Sequence, residues 1–176
     1  AMNIRIGTIA AALLALSAPA LTQAQESTAS TLSRLIECKL SAEEVSSFVE
    51  RINAEQVQDF VHSEVGGDSA LILWNSETPV RAWGETSDLV NMSSTTEMHL
   101  AFRVPLGEEL AHGRKIVDRI GGMSARPDQA AMEATYGWKG MDYRKALSNN
   151  RNVRVLVDLS YSPGWVAVGC SYGDIQ

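Results

Sequence analysis

The stretch RNVRVLVDLSYSPGWVAVGCSY, residues 151–172, carries the strongest fold signal in the sequence. Apolar and polar residues alternate on both sides of Ser162-Pro-Gly-Trp165, which is typical of two antiparallel strands joined by a turn. The large apolar side chains of both strands then share one face, and Cys170 lies on it. The sequence therefore predicts a C-terminal β-hairpin, and a loop of two or of four residues gives the same faces. With a two-residue loop at Pro163-Gly164, the predicted pairs are Tyr161 with Val166, Leu159 with Val168 and Val157 with Cys170.

An amphipathic helix is predicted near the start of the domain. Ser41-Ala-Glu-Glu44 has the form of a capping box, and apolar residues follow it at helical spacing, which predicts a helix over about 42–53. The spacing of Val57, Phe60 and Val61 favours an extension of this helix after a break.

A second helix is predicted after Pro105, where an apolar stripe runs as far as Gly121-Gly122. Acidic residues stand in its first turn and basic residues come later, an order that the helix dipole favours. Two shorter helices are predicted at 128–134 and 142–148, in a region where Gly, Asn and Pro are scattered.

Three further segments have the pattern of strands. Residues 70–74 form a compact apolar run, and Val80–Trp83 alternates after a turn predicted at Thr78-Pro79. Glu97–Val104 alternates over its whole length, which places His99 on its polar face. The predicted fold class is α+β: an antiparallel β-sheet with two main helices packed on it, and a C-terminal β-hairpin.

The N-terminal segment has the features of an export signal. Arg5 precedes an apolar run of eleven residues, which would reach only about 16 Å as a helix and is too short to span a bilayer. Small residues then permit cleavage after Ala24 or, as the second choice, after Ala20. We therefore predict a signal peptide over 1–24, a flexible tail over 25–33, and a single α+β domain over 34–176 in the periplasm.

Composition excludes several function classes. Hydrophobic residues make up 45% of the 176 residues and charged residues 20%, which is typical of a globular domain. Fifteen Lys and Arg stand against twenty-one Asp and Glu, a net charge of −6, so a nucleic-acid binder with a basic face is disfavoured. No stretch after the leader approaches 18 apolar residues, so no stable membrane insertion is expected after signal cleavage.

Cys38 and Cys170 are the only two cysteines. In an exported chain this pair predicts a disulfide that links the start of the domain to its last strand. Closing a loop of that length would contribute about 4–5 kcal/mol by the chain-entropy argument. A catalytic cysteine is the alternative interpretation, but neither residue has a recognisable nucleophile context.

No catalytic or metal-binding constellation is evident. The three histidines, His62, His99 and His112, belong to no metal-ligand pattern, so they are expected to be surface or hydrogen-bonded residues without a metal or cofactor. Gly121-Gly-Met-Ser-Ala125 lacks the Gly-x-Ser-x-Gly spacing of a nucleophile elbow. The chain is therefore predicted not to be an enzyme, and a hydrolase with a histidine-centred site remains a third hypothesis.

Aromatic and hydroxyl residues on loops are the candidate contacts to a partner. Of the four tryptophans, Trp138 in a glycine-rich loop and Trp165 in a turn are expected to be partly exposed. Exposed aromatic residues are good anchors for protein interfaces, but for either tryptophan alone the pattern favours the alternative, that it covers the end of a β-sheet core. The candidate partner-binding residues are Ser93, Ser94, Thr95, Thr96, Trp138 and Trp165.

The organisation of the chain resembles that of small periplasmic immunity proteins, which protect bacteria from cell-wall-degrading effectors. The resemblance rests on the leader, the size, the cysteine pair and the α+β pattern, and it assigns no individual residue. It implies an inhibitor that inserts a loop into the active-site cleft of a cell-wall hydrolase, and the acidic charge would speed its encounter with a basic enzyme. The alternative hypothesis is a periplasmic small-ligand-binding or cell-envelope accessory protein.

Overall fold

An eight-stranded antiparallel sheet is the central element of the computed structural model, which describes residues 26–173. The predicted leader over 1–24 and its cleavage site lie outside the described residues. The helices are α1 (Thr28–Ile36), α2 (Ala42–Asn53), α3 (Glu109–Ile120) and α4 (Gln129–Tyr136). The strands are β1 (Phe60–Ser63), β2 (Leu73–Ala82), β3 (Glu85–Met92), β4 (Glu97–Arg103), β5 (Ser124–Ala125), β6 (Gly140–Leu147), β7 (Arg151–Asp158) and β8 (Trp165–Tyr172).

The α+β class and the antiparallel sheet are confirmed. Neighbouring strands follow the order β1-β2-β3-β4-β8-β7-β6-β5, so the C-terminal strand β8 lies in the interior of the sheet between β4 and β7. The described residues contain four helices: α2 and α3 lie where the two main helices are predicted, α4 lies where the short helix over 128–134 is predicted, and α1 is not predicted. None of the helices within 26–173 is long and apolar enough to cross a membrane.

Helix α2 forms where the sequence predicts it. The Ser41 Oγ accepts a hydrogen bond from the Glu44 N–H, and the Glu44 carboxylate accepts one from the Ser41 N–H at 2.7 Å, which confirms the capping box. The apolar stripe of this helix is buried in the core. Its members are Val45, Phe48, Val49 and Ile52.

Helix α1 corrects the predicted tail over 25–33. Ser27 caps this helix, and Leu32, Leu35 and Ile36 are completely buried. These three residues follow the i, i+3, i+4 spacing of a helix face. A tail that ends at residue 33 separates Leu32 from Leu35 and Ile36, so the helical spacing of these three residues is not recognised from the sequence.

Three other predicted elements are wrong in type. Phe60 is buried and Val61 is exposed, because they alternate in strand β1 and do not extend the helix. The segment 142–148, predicted as helical, lies mainly in strand β6. Strand β2 runs through the turn predicted at Thr78-Pro79, and its pairing with β3 shifts between Asn75 and Val80. A proline, which has no N–H to donate, is tolerated in a strand at such an irregularity.

The C-terminal hairpin has the predicted faces but a different register. Val153 pairs with Cys170 and Val155 with Val168, so the register is displaced by four residues from the predicted one. The longer connection, residues 159–164, is held by Asp158, whose Oδ1 accepts hydrogen bonds from the N–H groups of Ser160 and Tyr161. Because four is an even number, the valines and Cys170 still face the core.

The predicted disulfide is confirmed. Cys38 lies just after α1, and Cys170 lies in β8, at a sequence separation of 132 and a Cα–Cα distance of 5.3 Å. The bond therefore fastens the first helix to an interior strand of the sheet.

The two faces of the sheet are covered differently. One face joins α1, α2 and α3 in the main core through residues such as Leu100, Val155 and Val168. The opposite face, which we call the second face, carries Asn91, His99, Gly169, Arg154 and Arg144 in one row across five strands. The β1–β2 loop, residues 64–72, crosses this face, because its Leu71 packs with Leu73, Ala101 and Trp165 in a separate small cluster.

Candidate binding site on the second face

The two tryptophans expected to be exposed are buried. Trp165 begins strand β8, and the Arg103 guanidinium lies 4.6 Å from the centre of its ring. Trp138 packs over Gly140 and donates a hydrogen bond to the Asp158 carboxylate at 3.2 Å. The prediction of partial exposure is therefore wrong for both residues, which instead cover parts of the sheet.

The polar run Ser93–Thr96 forms the turn between β3 and β4. Ser93, Ser94 and Thr95 are exposed, and Thr96 is half-buried. The Ser94 Oγ accepts hydrogen bonds from the N–H groups of Thr96 and Glu97, so this hydroxyl stabilises the turn itself. Of the four residues, only Ser93 lines the cavity described next.

A cavity of about 130 Å³ lies between the second face and the β1–β2 loop. The sheet and the loop both contribute apolar walls, and Ser93 and Trp165, two of the sequence-predicted residues, meet here. The lining residues are Ala70, Leu71, Asn91, Ser93, His99, Arg154, Leu156, Asp158, Ser162, Trp165 and Ala167.

His99 is the unusual group of this cavity. Its side chain is only 2% exposed, and neither ring nitrogen has a hydrogen-bond partner among the residues that the structure describes. The ring lies against Gly169, where an added Cβ would come within 2.9 Å of the His99 Cδ2. Burial, together with the positive charge of Arg154, lowers the pKa of His99 to about 3, so the ring is neutral at physiological pH.

Arg154 is held on the cavity wall by two acidic groups. Its Nε and Nη2 donate to the buried Asp142 carboxylate at 3.0 and 2.9 Å, and its Nη1 lies 3.4 Å from a Glu97 oxygen. Burial would raise the pKa of Asp142, but hydrogen bonds from Arg144 and Arg154 hold it below its ordinary value. The network therefore keeps Asp142 ionised and fixes the Arg154 guanidinium beside His99.

Most of the acceptor oxygens on the cavity wall already accept hydrogen bonds from other residues of the protein. The Asn91 Oδ1 accepts from the Ile72 N–H at 2.9 Å, and the Ser162 Oγ accepts from the Ala70 N–H at 3.1 Å. Asp158 Oδ1 accepts from Trp138, Ser160 and Tyr161. What the wall offers a ligand is mainly hydrogen-bond donors.

Three neighbouring loops, of which the first and the third contribute residues to the cavity lining, form a surface with large exposed apolar side chains. These loops, residues 64–72, 104–108 and 159–164, are named the three-loop surface. Val65 is 54% exposed, Leu106 77% and Tyr161 64%.

Hydrogen bonds join the three loops to one another. The Ala70 N–H donates to the Tyr161 carbonyl at 3.2 Å, and the Val104 N–H donates to the Gly164 carbonyl at 3.0 Å. Arg103, next to the second loop, donates to the Val65 carbonyl at 3.3 Å. The exposed side chains are therefore presented by mutually bonded loops.

Glu109 connects two of these loops from inside. Its carboxylate is buried and accepts from the Gly164 N–H at 2.9 Å and the Gly107 N–H at 2.7 Å. Burial would raise the pKa of Glu109, but these backbone hydrogen bonds hold it below its ordinary value. The sequence suggested only that this residue favours the helix dipole.

The other two histidines do not join His99. His112 lies 3.1 Å from the Glu85 carboxylate, and His62 lies 3.3 Å from Glu64. Within 26–173, no group of three or more His, Cys, Asp and Glu residues could hold a metal ion.

Comparisons with protein-family models, with curated proteins and with solved structures found no match. The site is therefore interpreted from its own geometry.

Sequence reasoning missed the burial of His99. A signal was present in its neighbours on the second face, which are Ala101, Ala167 and Gly169. A sheet face that is exposed to solvent normally carries larger polar side chains than these. Small residues opposite a histidine indicate that another segment packs closely above them.

Proposed function

We propose that this protein is a periplasmic protein-binding inhibitor that covers the active site of a cell-wall-degrading enzyme through its three-loop surface. The target class comes from the predicted leader, the cysteine pair and the resemblance to immunity proteins. The observation that carries the binding surface is the exposure of Val65, Leu106 and Tyr161 on loops that are hydrogen-bonded to one another. Clustered apolar and aromatic side chains on ordered loops are typical anchors of protein interfaces.

The charge of this surface favours a basic partner. The three loops contain Glu64, Asp68 and Glu108 and no lysine or arginine. Arg103 lies immediately before the second loop, but its guanidinium is engaged by Trp165 and the Val65 carbonyl. An enzyme with lysine and arginine around its cleft would be attracted to these acids, and the encounter rate would fall with added salt.

The groove between the first and third loops suits the insertion of a partner side chain. It has a volume of about 350 Å³ and is lined by Arg103, Tyr161, Pro163 and Trp165 together with small polar residues. A partner side chain that enters this groove would contact Tyr161, Pro163 and Trp165.

The test is inhibition of purified cell-wall hydrolases that cleave glycan, amide or peptide bonds, with binding measured by surface plasmon resonance. The expected result is nanomolar inhibition of one enzyme class. Tyr161→Asp and Leu106→Asp should each weaken binding by tenfold or more. Tyr136→Asp is the matched control, because Tyr136 is 78% exposed on α4, outside the three loops.

Two results would contradict the proposal. One is that no hydrolase of any of the three bond classes is bound. The other is that the Tyr136 control weakens binding as much as Tyr161→Asp, which would place the interface elsewhere.

The cavity at His99 favours the alternative function, small-ligand binding. A buried histidine without a hydrogen-bond partner beside a cavity of about 130 Å³ is an observation that protein binding does not require.

A further inference from the structure

The two ring nitrogen atoms of His99 are buried and have no hydrogen-bond partner among the described residues. A neutral imidazole has one N–H donor and one acceptor nitrogen, and burying either without a partner is unfavourable. His99 is 2% exposed and lines the cavity, and no described residue hydrogen-bonds to its ring. A polar ligand in the cavity would supply the missing partner.

The size of the cavity limits what can enter. Its volume is about 130 Å³, and an apolar cavity of about 150 Å³ is known to hold benzene. Leu71, Leu156, Trp165 and Ala167 provide apolar walls on the loop side and the sheet side. The body of the ligand is therefore a short hydrocarbon chain or a single ring.

The wall chemistry selects the polar end of the ligand. Asn91 and Ser162 already use their oxygens to accept hydrogen bonds from loop amides, which leaves them N–H and O–H groups to donate. Arg154 adds a guanidinium whose Nε and Nη2 already donate to Asp142, while its Nη1 makes only a longer contact of 3.4 Å to Glu97. Ser93 adds a hydroxyl at the exposed edge. Asp158 is the acid of the lining, and three donors already engage its Oδ1. A group made only of acceptors complements this set.

We propose that the cavity beside His99 binds a small carboxylate with an apolar body of about the size of a benzene ring. The carboxylate would accept hydrogen bonds from His99 and Arg154, and the apolar body would pack between Leu71 and Trp165. This site goes beyond the proposed inhibitor function, since it requires no protein partner.

The experiment measures binding of butyrate and benzoate to the purified protein by isothermal titration calorimetry at about pH 7. Benzamide is the neutral counterpart of benzoate, and acetate has the carboxylate without the apolar body. The expected result is saturable one-to-one binding of benzoate with a dissociation constant below about 1 mM. Benzamide and acetate should each bind at least tenfold more weakly.

Variants then locate the site. His99→Leu removes the ring nitrogens, and Ala167→Val narrows the cavity from the same sheet wall. Each should weaken benzoate binding tenfold or more. Thr95→Ala is the control, because Thr95 is exposed in the same turn as Ser93 but does not line the cavity. Near-ultraviolet circular dichroism of each variant verifies that it is folded.

Several results would overturn the proposal. Absence of saturation by both benzoate and butyrate at 10 mM would show that the cavity binds no such ligand. Equal binding of benzamide would contradict the carboxylate assignment, and unchanged binding by both His99→Leu and Ala167→Val would place the ligand elsewhere. None of these results would alter hydrolase inhibition, so the two proposals fail independently.

Discussion

Replacing His99 with leucine should raise the free energy of unfolding of the ligand-free protein. The increase should be larger at acidic pH than at neutral pH. A buried polar group without a partner costs about 1–3 kcal/mol, so its removal should raise the free energy of unfolding by that amount near pH 7.5. The leucine also adds apolar contact with the walls that Leu156 and Ala167 provide. A functional residue that lowers stability is expected at a binding site.

The acid dependence follows from the pKa of the same residue. His99 has a pKa of about 3 in the folded protein against 6.5 ordinarily, so below pH 6.5 the unfolded chain binds a proton that the folded protein excludes. Stability is therefore lost as the pH falls from about 6.5 towards 3. Between pH 7.5 and 5 this loss amounts to about 2 kcal/mol for His99 alone.

Carboxylates contribute little to the loss of stability between pH 7.5 and 5. The pKa values of Glu109 and Asp142 are also lowered by folding, but their ordinary values are 4.5 and 3.8, so their losses occur mainly below pH 5. The interval from pH 7.5 to 5 therefore isolates the contribution of histidine residues.

Urea unfolding followed by tryptophan fluorescence measures both effects. The wild type should lose about 2 kcal/mol more than His99→Leu when the pH is lowered from 7.5 to 5. His62→Leu is the control, because His62 is an exposed histidine on β1 and its replacement should leave the difference in place. The reasoning is refuted if His99→Leu is less stable than the wild type at both pH values, or if the two proteins show the same acid loss.

Other predictions concern stability. Replacing both Cys38 and Cys170 with serine should lower the free energy of unfolding by about 4–5 kcal/mol, because the bond spans 132 residues; a loss below about 1 kcal/mol in urea would contradict this. Glu109→Gln should cost about 2–3 kcal/mol, since the two loop N–H groups donate to different carboxylate oxygens and one of these becomes an NH2 group that cannot accept, whereas Glu108→Gln should stay within about 0.5 kcal/mol. Gly169→Ala should prevent or strongly impair folding, because its Cβ would lie 2.1 Å from the Met98 carbonyl oxygen; a variant with normal near-ultraviolet circular dichroism and stability would be inconsistent with this packing.

Local patterns allowed the sequence to predict several elements correctly. The capping box at Ser41 and the apolar stripe after it are complete within one helix, so α2 is found with its correct bounds. In the hairpin, alternation fixes which side chains face the core, since parity is a local property. Its register depended on the connection 159–164, where Asp158 organises a longer loop through side-chain hydrogen bonds.

The candidate site depended on contacts that no local pattern encodes. His99 is buried because the β1–β2 loop, which comes well before it in sequence, folds across the second face. Trp165 looked exposed because it follows a Pro-Gly pair, yet it is the first residue of an interior strand covered by Arg103. Among the six predicted site residues, Ser93 and Trp165 meet at the cavity, and Trp138 reaches it through Asp158.

The cavity on the second face requires that His99 is buried and neutral. Long-range ¹H–¹⁵N correlation spectra of histidine-labelled protein observe the protonation state of this ring directly. The structure predicts that the His99 ring keeps the nitrogen shifts of a neutral imidazole from pH 7.5 down to pH 5, because its pKa is about 3. A His99 signal that titrates with a midpoint between pH 6 and 7 would show that the ring is solvated, and it would contradict the cavity and the ligand proposed for it.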